Sequence, residues 1–296
     1  MTPGELDSLT ESWITHLEAE RKSSHTIRTY TAGLSAFTQW CQREGREAEL
    51  TRGAVEAFTA ALLAEGAEAA TALSRQRGVR RFSAWLAAEH EIPRDELTGM
   101  SPPKLDEKMP AELTTEQVKG LLATCGATAF HDVRDEAIIR LMTESMVRAG
   151  ELLAMTVPDV NIRGGSALVR RGKGGKGRIV PFGPQTGRAL DRYARARRRH
   201  ALAATPDYWL AHRGRVMTYE ALYSTLHRRA ERAGFAMHPH MLRATGAIRW
   251  RAAGGSVPGL LTVAGWSSIE MAAKYVRAAE NRLAVDEAHR LQLGDL

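Results

Sequence analysis

Apolar side chains recur at three- and four-residue spacing through most of the first ninety positions, as they do in helices that turn one face to a core. Leu6, Leu9, Trp13 and Leu17 form one stripe. Tyr30, Leu34, Phe37, Trp40 and Cys41 form a second, behind an RKSSHT turn in which Ser24 is available as a cap. Val55, Phe58 and Leu62 mark a third helix, and Val79, Phe82, Trp85 and Leu86 a fourth. Four such stripes suffice for a small helical bundle over residues 1–92. Their aromatic residues read as core, because large apolar side chains are usually buried.

The pattern then breaks. Residues 93–110, PRDELTGMSPPKLDEKMP, concentrate proline, glycine and charge without apolar periodicity, which predicts an exposed interdomain linker. A second domain is expected over 111–296, because Thr114 and Gln117 make a capping-box pattern ahead of Val118, Leu121 and Leu122. Most of it is again helical, for example Asp132–Glu144 with Ala137, Ile138, Leu141 and Met142. One interval differs: Ala167–Arg171 and Arg178–Phe182 are short β-prone runs around GKGGKG, which predicts a hairpin with a lysine-bearing turn. The expected fold is mainly α, with a helical bundle followed by a mixed α/β domain holding a small antiparallel sheet. Two domains also suit a chain of 296 residues.

Charge adds a partner class. The chain carries a net +7, unevenly placed: residues 1–110 hold 13 Lys+Arg against 17 Asp+Glu, and residues 111–296 hold 28 against 17. A basic half gains from counterion release on a polyanion, so nucleic acid is a candidate partner, although an arginine-rich composition alone would give the same excess. The two cysteines, Cys41 and Cys125, show neither disulfide nor metal-site spacing, so no metal is expected. No run approaches the roughly 20 apolar residues of a membrane span, and MTPGELDSLTE lacks the plan of a secretory signal. A reducing, cytoplasmic setting is expected.

Four short motifs carry candidate chemistry. GKGGKG lacks the GxxxxGK[ST] pattern and leads into a strand, so it is no phosphate loop for nucleotide hydrolysis; Lys173 and Lys176 remain cations on a hairpin tip. In HPHMLR, His240 and Arg243 lie three apart, and a helix opening at Met241 would place both over one face at an anion-favouring N-terminus. In RAGELL, Glu151 follows Arg148 by three positions and could orient its guanidinium, which by itself describes any surface ion pair. Trp266 of GWSSI precedes Tyr275 by nine positions, and that tyrosine taken alone could be simple core. The run Arg195–Arg199 could touch phosphate or form a solvated helix face.

The order of these four motifs resembles the tyrosine recombinase (phage integrase) family over nearly the whole chain. SSHTIRTYTAGLSAFTQW is similar to a recurrent helix of the family's SAM-like core-binding domain, and KMPAELTTEQVKGLL to the start of its catalytic domain. The resemblance implies catalytic residues Arg148, Lys173, His240, Arg243, Trp266 and Tyr275, with Glu151 in support and Trp266 at a position that is often His. It implies a 3′-phosphotyrosyl intermediate, strand exchange through a Holliday junction, and no cofactor or metal. Double-stranded DNA attachment sites, a homotetramer and an excision or directionality factor are the implied partners, with action on the nucleoid of a bacterial host. Lys176, Arg178 and the cluster Arg75, Arg77, Arg80 and Arg81 are candidate DNA contacts; the last four could equally be a solvated face. Ala244 stands where the family commonly has His, and VAGW replaces the frequent LLGH. These departures suit an integrase of a phage or mobile element better than a Xer resolvase of chromosome dimers. A non-enzymatic DNA-binding regulator is the alternative of a different class. No room for an arm-binding domain is expected, and the apolar residues Leu283, Val285, Leu291 and Leu293 of the tail are expected to dock on a neighbouring protomer.

Overall fold

The computed structural model describes residues 3–106, 109–170, 177–211 and 214–292. The chain divides into two compact units, Met1–Lys108 and Met109–Leu296. Among the described residues no helix is long and apolar enough to cross a membrane.

The first unit contains α1 (Pro3–Ala19), α2 (Ser24–Arg43), α3 (Arg52–Ala64) and α4 (Ala69–Ala88). Its core is the predicted set of stripes: Trp13, Phe37, Phe58, Val79 and Phe82 are all essentially inaccessible. α2 and α4 touch backbone to backbone because Gly33 and Gly78 face each other. A methyl group on Gly33 would stand 2.6 Å from the Arg75 carbonyl oxygen. The cap of α2 is Ser23, whose hydroxyl accepts from the Thr26 N–H, and not Ser24, which is the first helical residue. The linker expected from residue 93 onward also needs correction. Leu97 and Met100 are buried in the bundle core, the Ser83 hydroxyl bonds Asp95, and Arg52 donates to the Thr98 carbonyl at 2.9 Å. Two isolated apolar residues create no periodicity, so a stretch that is polar in composition nevertheless packs.

The second unit opens with α5 (Thr115–Ala123), held by the expected capping box of Thr114 and Gln117. Next come α6 (Phe130–Ser145) and the single-turn α7 (Ala149–Leu153). A three-stranded antiparallel sheet follows, in the order β1 (Val160–Asn161), β2 (Ser166–Val169), β3 (Arg178–Pro181). Val169 pairs with Arg178 and Ala167 with Val180, so Ala167, Val169 and Val180 face the core while Leu168 and Ile179 face solvent. The helices α8 (Pro184–Arg197), α9 (Tyr219–Arg232), α10 (Pro239–Ala252), α11 (Val257–Ala264) and α12 (Ile269–Leu291) complete it.

Two apolar clusters meet at α10. One gathers α6, the sheet, α8 and α9; the other joins α10, α11 and α12 through Ile248, Leu260, Ala264, Trp266, Ala272 and Tyr275. α10 lies close against α6 at Gly246, where a methyl group would collide with the Thr143 carbonyl and stand 2.8 Å from Met146 Cγ. A buried ionic network fastens α9 to α6: Asp135 accepts from Arg134 and from Arg229, which also donates to Asp132 and to the Thr124 carbonyl. The arginine run of α8 divides by environment. Arg197 is buried and donates only to backbone carbonyls among its described partners, Arg195 pairs with Asp191, and Arg198 and Arg199 are exposed.

Candidate active site

Arg148, His240, Arg243, Trp266 and Tyr275 all lie at or within two turns of a helix terminus. α6 ends at Ser145, and Met146 turns the chain in the left-handed region, φ 56°. Arg148 thereby becomes the N-cap of α7, and Glu151 reaches back one turn to accept its N–H at 2.9 Å. His238 and Pro239 open α10, which puts His240 in its first turn and Arg243 one turn further. Gly265 ends α11 in the left-handed conformation, φ 64°, and hands the chain to Trp266. Ser268 precedes α12, whose second turn carries Tyr275.

These termini converge. The Tyr275 hydroxyl lies 3.1 Å from His240 Nε2, and its ring stacks on Trp266 with centroids 4.8 Å apart. The Arg243 guanidinium lies 5.1 Å from the Trp266 ring centroid and donates to the carbonyls of Met146 and Ala264. Arg148 donates to Glu151 Oε1 at 2.7 Å and approaches the Gly265 carbonyl at 3.4 Å. Five of the six residues expected to act together are therefore in one place. The sixth, Lys173, lies outside the described residues, as does Lys176.

The site is strongly cationic and largely closed. Arg148, Arg178 and Arg243 act on the carboxylate of Glu151, and Lys274 adds its charge beside Tyr275 and His240. Burial, and then the neighbouring Arg148, draw Arg243 down to about 10, still far above neutral. Burial lowers the His240 pKa, and Arg243, Lys274, His238 and Arg148 lower it further, so its imidazole is neutral at pH 7. Burial raises the Tyr275 pKa, against the pull of Arg243 and Arg148. Burial alone would raise Glu151 too, but hydrogen bonds from Arg178 and from the Arg148 N–H overcome it and hold the carboxylate at about 2. The result is a protonated phenol facing a neutral imidazole among fixed positive charges. Such a group is suited to nucleophilic attack on an anionic centre.

Arg178 departs from its sequence reading. Expected on a DNA-facing hairpin, it is only 9% exposed, takes both oxygens of Glu151 and donates through Nε to the Val263 carbonyl. It is therefore not a free cation for DNA. Arg77 and Arg81 on α4 are exposed and Arg75 and Arg80 half-buried, all in the first unit. Lys274 lies 5.0 Å from the centroid of the Tyr275 ring, and adjacency to the tyrosine is its only signal in the sequence. Among the described residues no group of three or more His, Cys, Asp or Glu could hold a metal ion.

Known proteins resemble this chain in sequence and in fold. The model of the phage integrase family matches residues 111–282, and that of the phage integrase N-terminal SAM-like domain matches residues 10–90. The tyrosine recombinase XerD of Ralstonia nicotianae is 31% identical over 88% of this chain and 85% of its own. The XerC of Pseudomonas savastanoi pv. phaseolicola is 30% identical over 79% of each. Among solved structures, the fold matches XerH site-specific recombinase bound to palindromic difH substrate, with a TM-score of 0.73 at 19% identity over 88% of this chain and 79% of that one. It also matches a lambda integrase(75-356) dimer bound to a COC′ core site, at 0.70 and 16% over 91% and 94%. The chain belongs to the phage integrase family. Its enzyme class is that of the tyrosine-type site-specific recombinases.

Proposed function

We propose that this recombinase cuts and rejoins double-stranded DNA with Tyr275 as nucleophile. The observation that carries the reading is the hydrogen bond between Tyr275 and a neutral His240 beside two guanidiniums, Arg148 and Arg243. The Tyr275 oxygen bonds to phosphorus and the bond to the 5′-oxygen breaks, leaving a 3′-phosphotyrosyl link. His240 Nε2 takes the phenol proton, and Lys173 of the hairpin protonates the departing 5′-oxygen. Arg148 and Arg243 neutralise the charge that grows on the non-bridging oxygens. Each guanidinium has five N–H donors, so those of Arg243 are not exhausted by its two carbonyls. A 5′-hydroxyl of a partner duplex then reverses the attack and joins the strands, without an external energy source. Tyr275 and Arg243 are 2% and 1% exposed, so the first turns of α12 must shift before a phosphate can reach them.

In the same reading the first unit is the core-binding domain, with Arg75, Arg77, Arg80 and Arg81 on DNA. Strand exchange takes place in a homotetramer in the cytoplasm of a bacterial cell, directed by an excision factor where the reaction must run backwards. The departures around Ala244 and Trp266 favour integration of a phage or mobile element. A Xer-like resolution of chromosome dimers is the second reading, favoured by the names of the curated relatives.

The test is covalent capture. A random pool of nicked duplexes is incubated with the chain, protein-linked DNA is isolated under denaturing conditions, and the selected duplex is sequenced. Wild type should form an adduct and Tyr275→Phe none, while the variant keeps the fold because ring stacking on Trp266 is retained. An undiminished adduct with Tyr275→Phe overturns the assignment. Recovery of a chromosomal terminus site, in place of an element end, decides for the Xer-like reading.

A further inference from the structure

Glu151 serves two arginines unequally. Arg178 approaches it head-on with both terminal nitrogens, at 3.0 Å to Oε1 and 2.7 Å to Oε2. Arg148 is left with one side-chain bond, 2.7 Å to Oε1, while its backbone N–H takes Oε2 at 2.9 Å. The exposures match this division: the Arg178 side chain is 9% accessible and that of Arg148 27%. Arg178 Nε is also used, on the Val263 carbonyl near the end of α11. Its guanidinium lies directly against Gly265, where a methyl group would stand 2.8 Å from Cζ. One buried side chain on β3 thus ties together the strand that follows the hairpin, the carboxylate behind Arg148 and the turn that delivers Trp266.

We propose that Arg178 is a positioning residue for Arg148: by occupying both oxygens of Glu151 it keeps that carboxylate from capturing the Arg148 guanidinium, and so leaves Arg148 donors for phosphate. This rests on the reading of Arg148 as a phosphate ligand. The physical basis is competition. A guanidinium pairs best with a carboxylate through two parallel bonds, and a carboxylate offers only one such face at a time. With Arg178 in that face, the three groups together carry one net positive charge, and the solvent-reaching part of it sits on Arg148. Without Arg178, Oε2 loses its only side-chain donor among the described residues. Arg148 is the adjacent guanidinium and can close the fork, which makes a neutral pair of what had been a phosphate-binding cation. The Arg178 side chain has Glu151 and the Val263 carbonyl as its described partners. Its effect on the chemistry passes through Glu151.

The experiment compares four variants of the full chain for adduct formation on the selected nicked duplex, after circular dichroism and thermal melting show them folded. Arg178→Met should slow adduct formation by about 100-fold, the scale on which loss of one oriented donor to a developing oxyanion acts. Arg178→Lys, a point charge that cannot span both oxygens, should fall between Arg178→Met and wild type, and carries the test if the methionine variant does not fold. Glu151→Gln removes the charge that would capture Arg148. The double variant Arg178→Met/Glu151→Gln should therefore react within a few-fold of Glu151→Gln alone. Multiplication of the two single defects would mean that Arg178 only supports packing, and would overturn the proposal. A crystal structure of DNA-free Arg178→Met supplies a readout that needs no substrate: Arg148 forked onto Glu151 supports the proposal, and Arg148 unmoved with its single bond overturns it. A wild-type chain that forms no adduct on any duplex sinks the reading of Tyr275 chemistry instead, and the crystal structure still decides whether Arg178 restrains Arg148.

Discussion

Glu151→Gln is the substitution whose consequences are most closely set by the geometry. The carboxylate accepts four hydrogen bonds, from the Arg148 N–H, the Arg148 side chain and two nitrogens of Arg178, and its side chain is 6% exposed. Its pKa is about 2 in the folded chain, against 4.5 for a free glutamate. The folded state thus prefers the ionised form, and the preference is worth about 3 kcal/mol at neutral pH. A depressed folded-state pKa gives stability that is fully present above the unfolded value and is lost as the pH falls through the folded one. The contribution should be intact above pH 5 and should drain away between about pH 4.5 and 2. A glutamine keeps one acceptor but turns an N–H₂ toward guanidinium donors, and leaves Arg148 and Arg178 to repel each other. Glu151→Gln should therefore destabilise the second unit by about 3 kcal/mol at pH 7, and by progressively less below pH 4.5. Urea unfolding followed by hydrogen exchange in peptides of α6 and β3 reports this unit separately from the first. A difference between variant and wild type that stays constant from pH 7 to pH 3 would refute the ionic origin of the effect.

Further outcomes follow from other contacts. His240 must be neutral to accept the phenol proton and its pKa lies below the usual histidine value. The second-order rate of adduct formation, measured at subsaturating duplex, should show its acid limb centred below 6.5; an acid limb centred above 6.5 contradicts the assignment. Gly246→Ala drives a methyl group into the Thr143 carbonyl and Met146. It should cost about 1–3 kcal/mol in urea unfolding of the second unit and slow adduct formation, because α10 carries His240 and Arg243. Asp135→Ala leaves Arg134 and Arg229 buried without their shared carboxylate and should cost about 3–5 kcal/mol, with the first unit unaffected in the same exchange experiment.

Much of the architecture can be read along the chain because it is local. The apolar stripes of α2 and α4 are helical periodicity, and Val169, Val180 and their neighbours alternate as hairpin strands do. Elsewhere the deciding information is absent from the local sequence. Ser23 and Ser24 are equivalent as caps until the backbone chooses one. β1 has only two residues, too few to alternate, so the sequence pattern carries no sign of this third strand. Leu97 and Met100 lie in a polar stretch and find their core partners in the bundle before it.

The candidate site divides in the same way. Arg148 with Glu151, His240 with Arg243, and Trp266 before Tyr275 are each joined by a few residues of chain, so spacing marks them as candidates, and their order along the chain points to the family that the comparisons show. What only the tertiary structure decided is how the charges are shared. Arg178 reads in the sequence as one more hairpin cation, equivalent to Lys176. Folding brings it 27 positions back along the chain onto Glu151 and turns a surface charge into a buried fork. The residue type sets how many donors a cation has; which carboxylate fills them depends on contacts across α7, β3 and α11, and no local spacing encodes those.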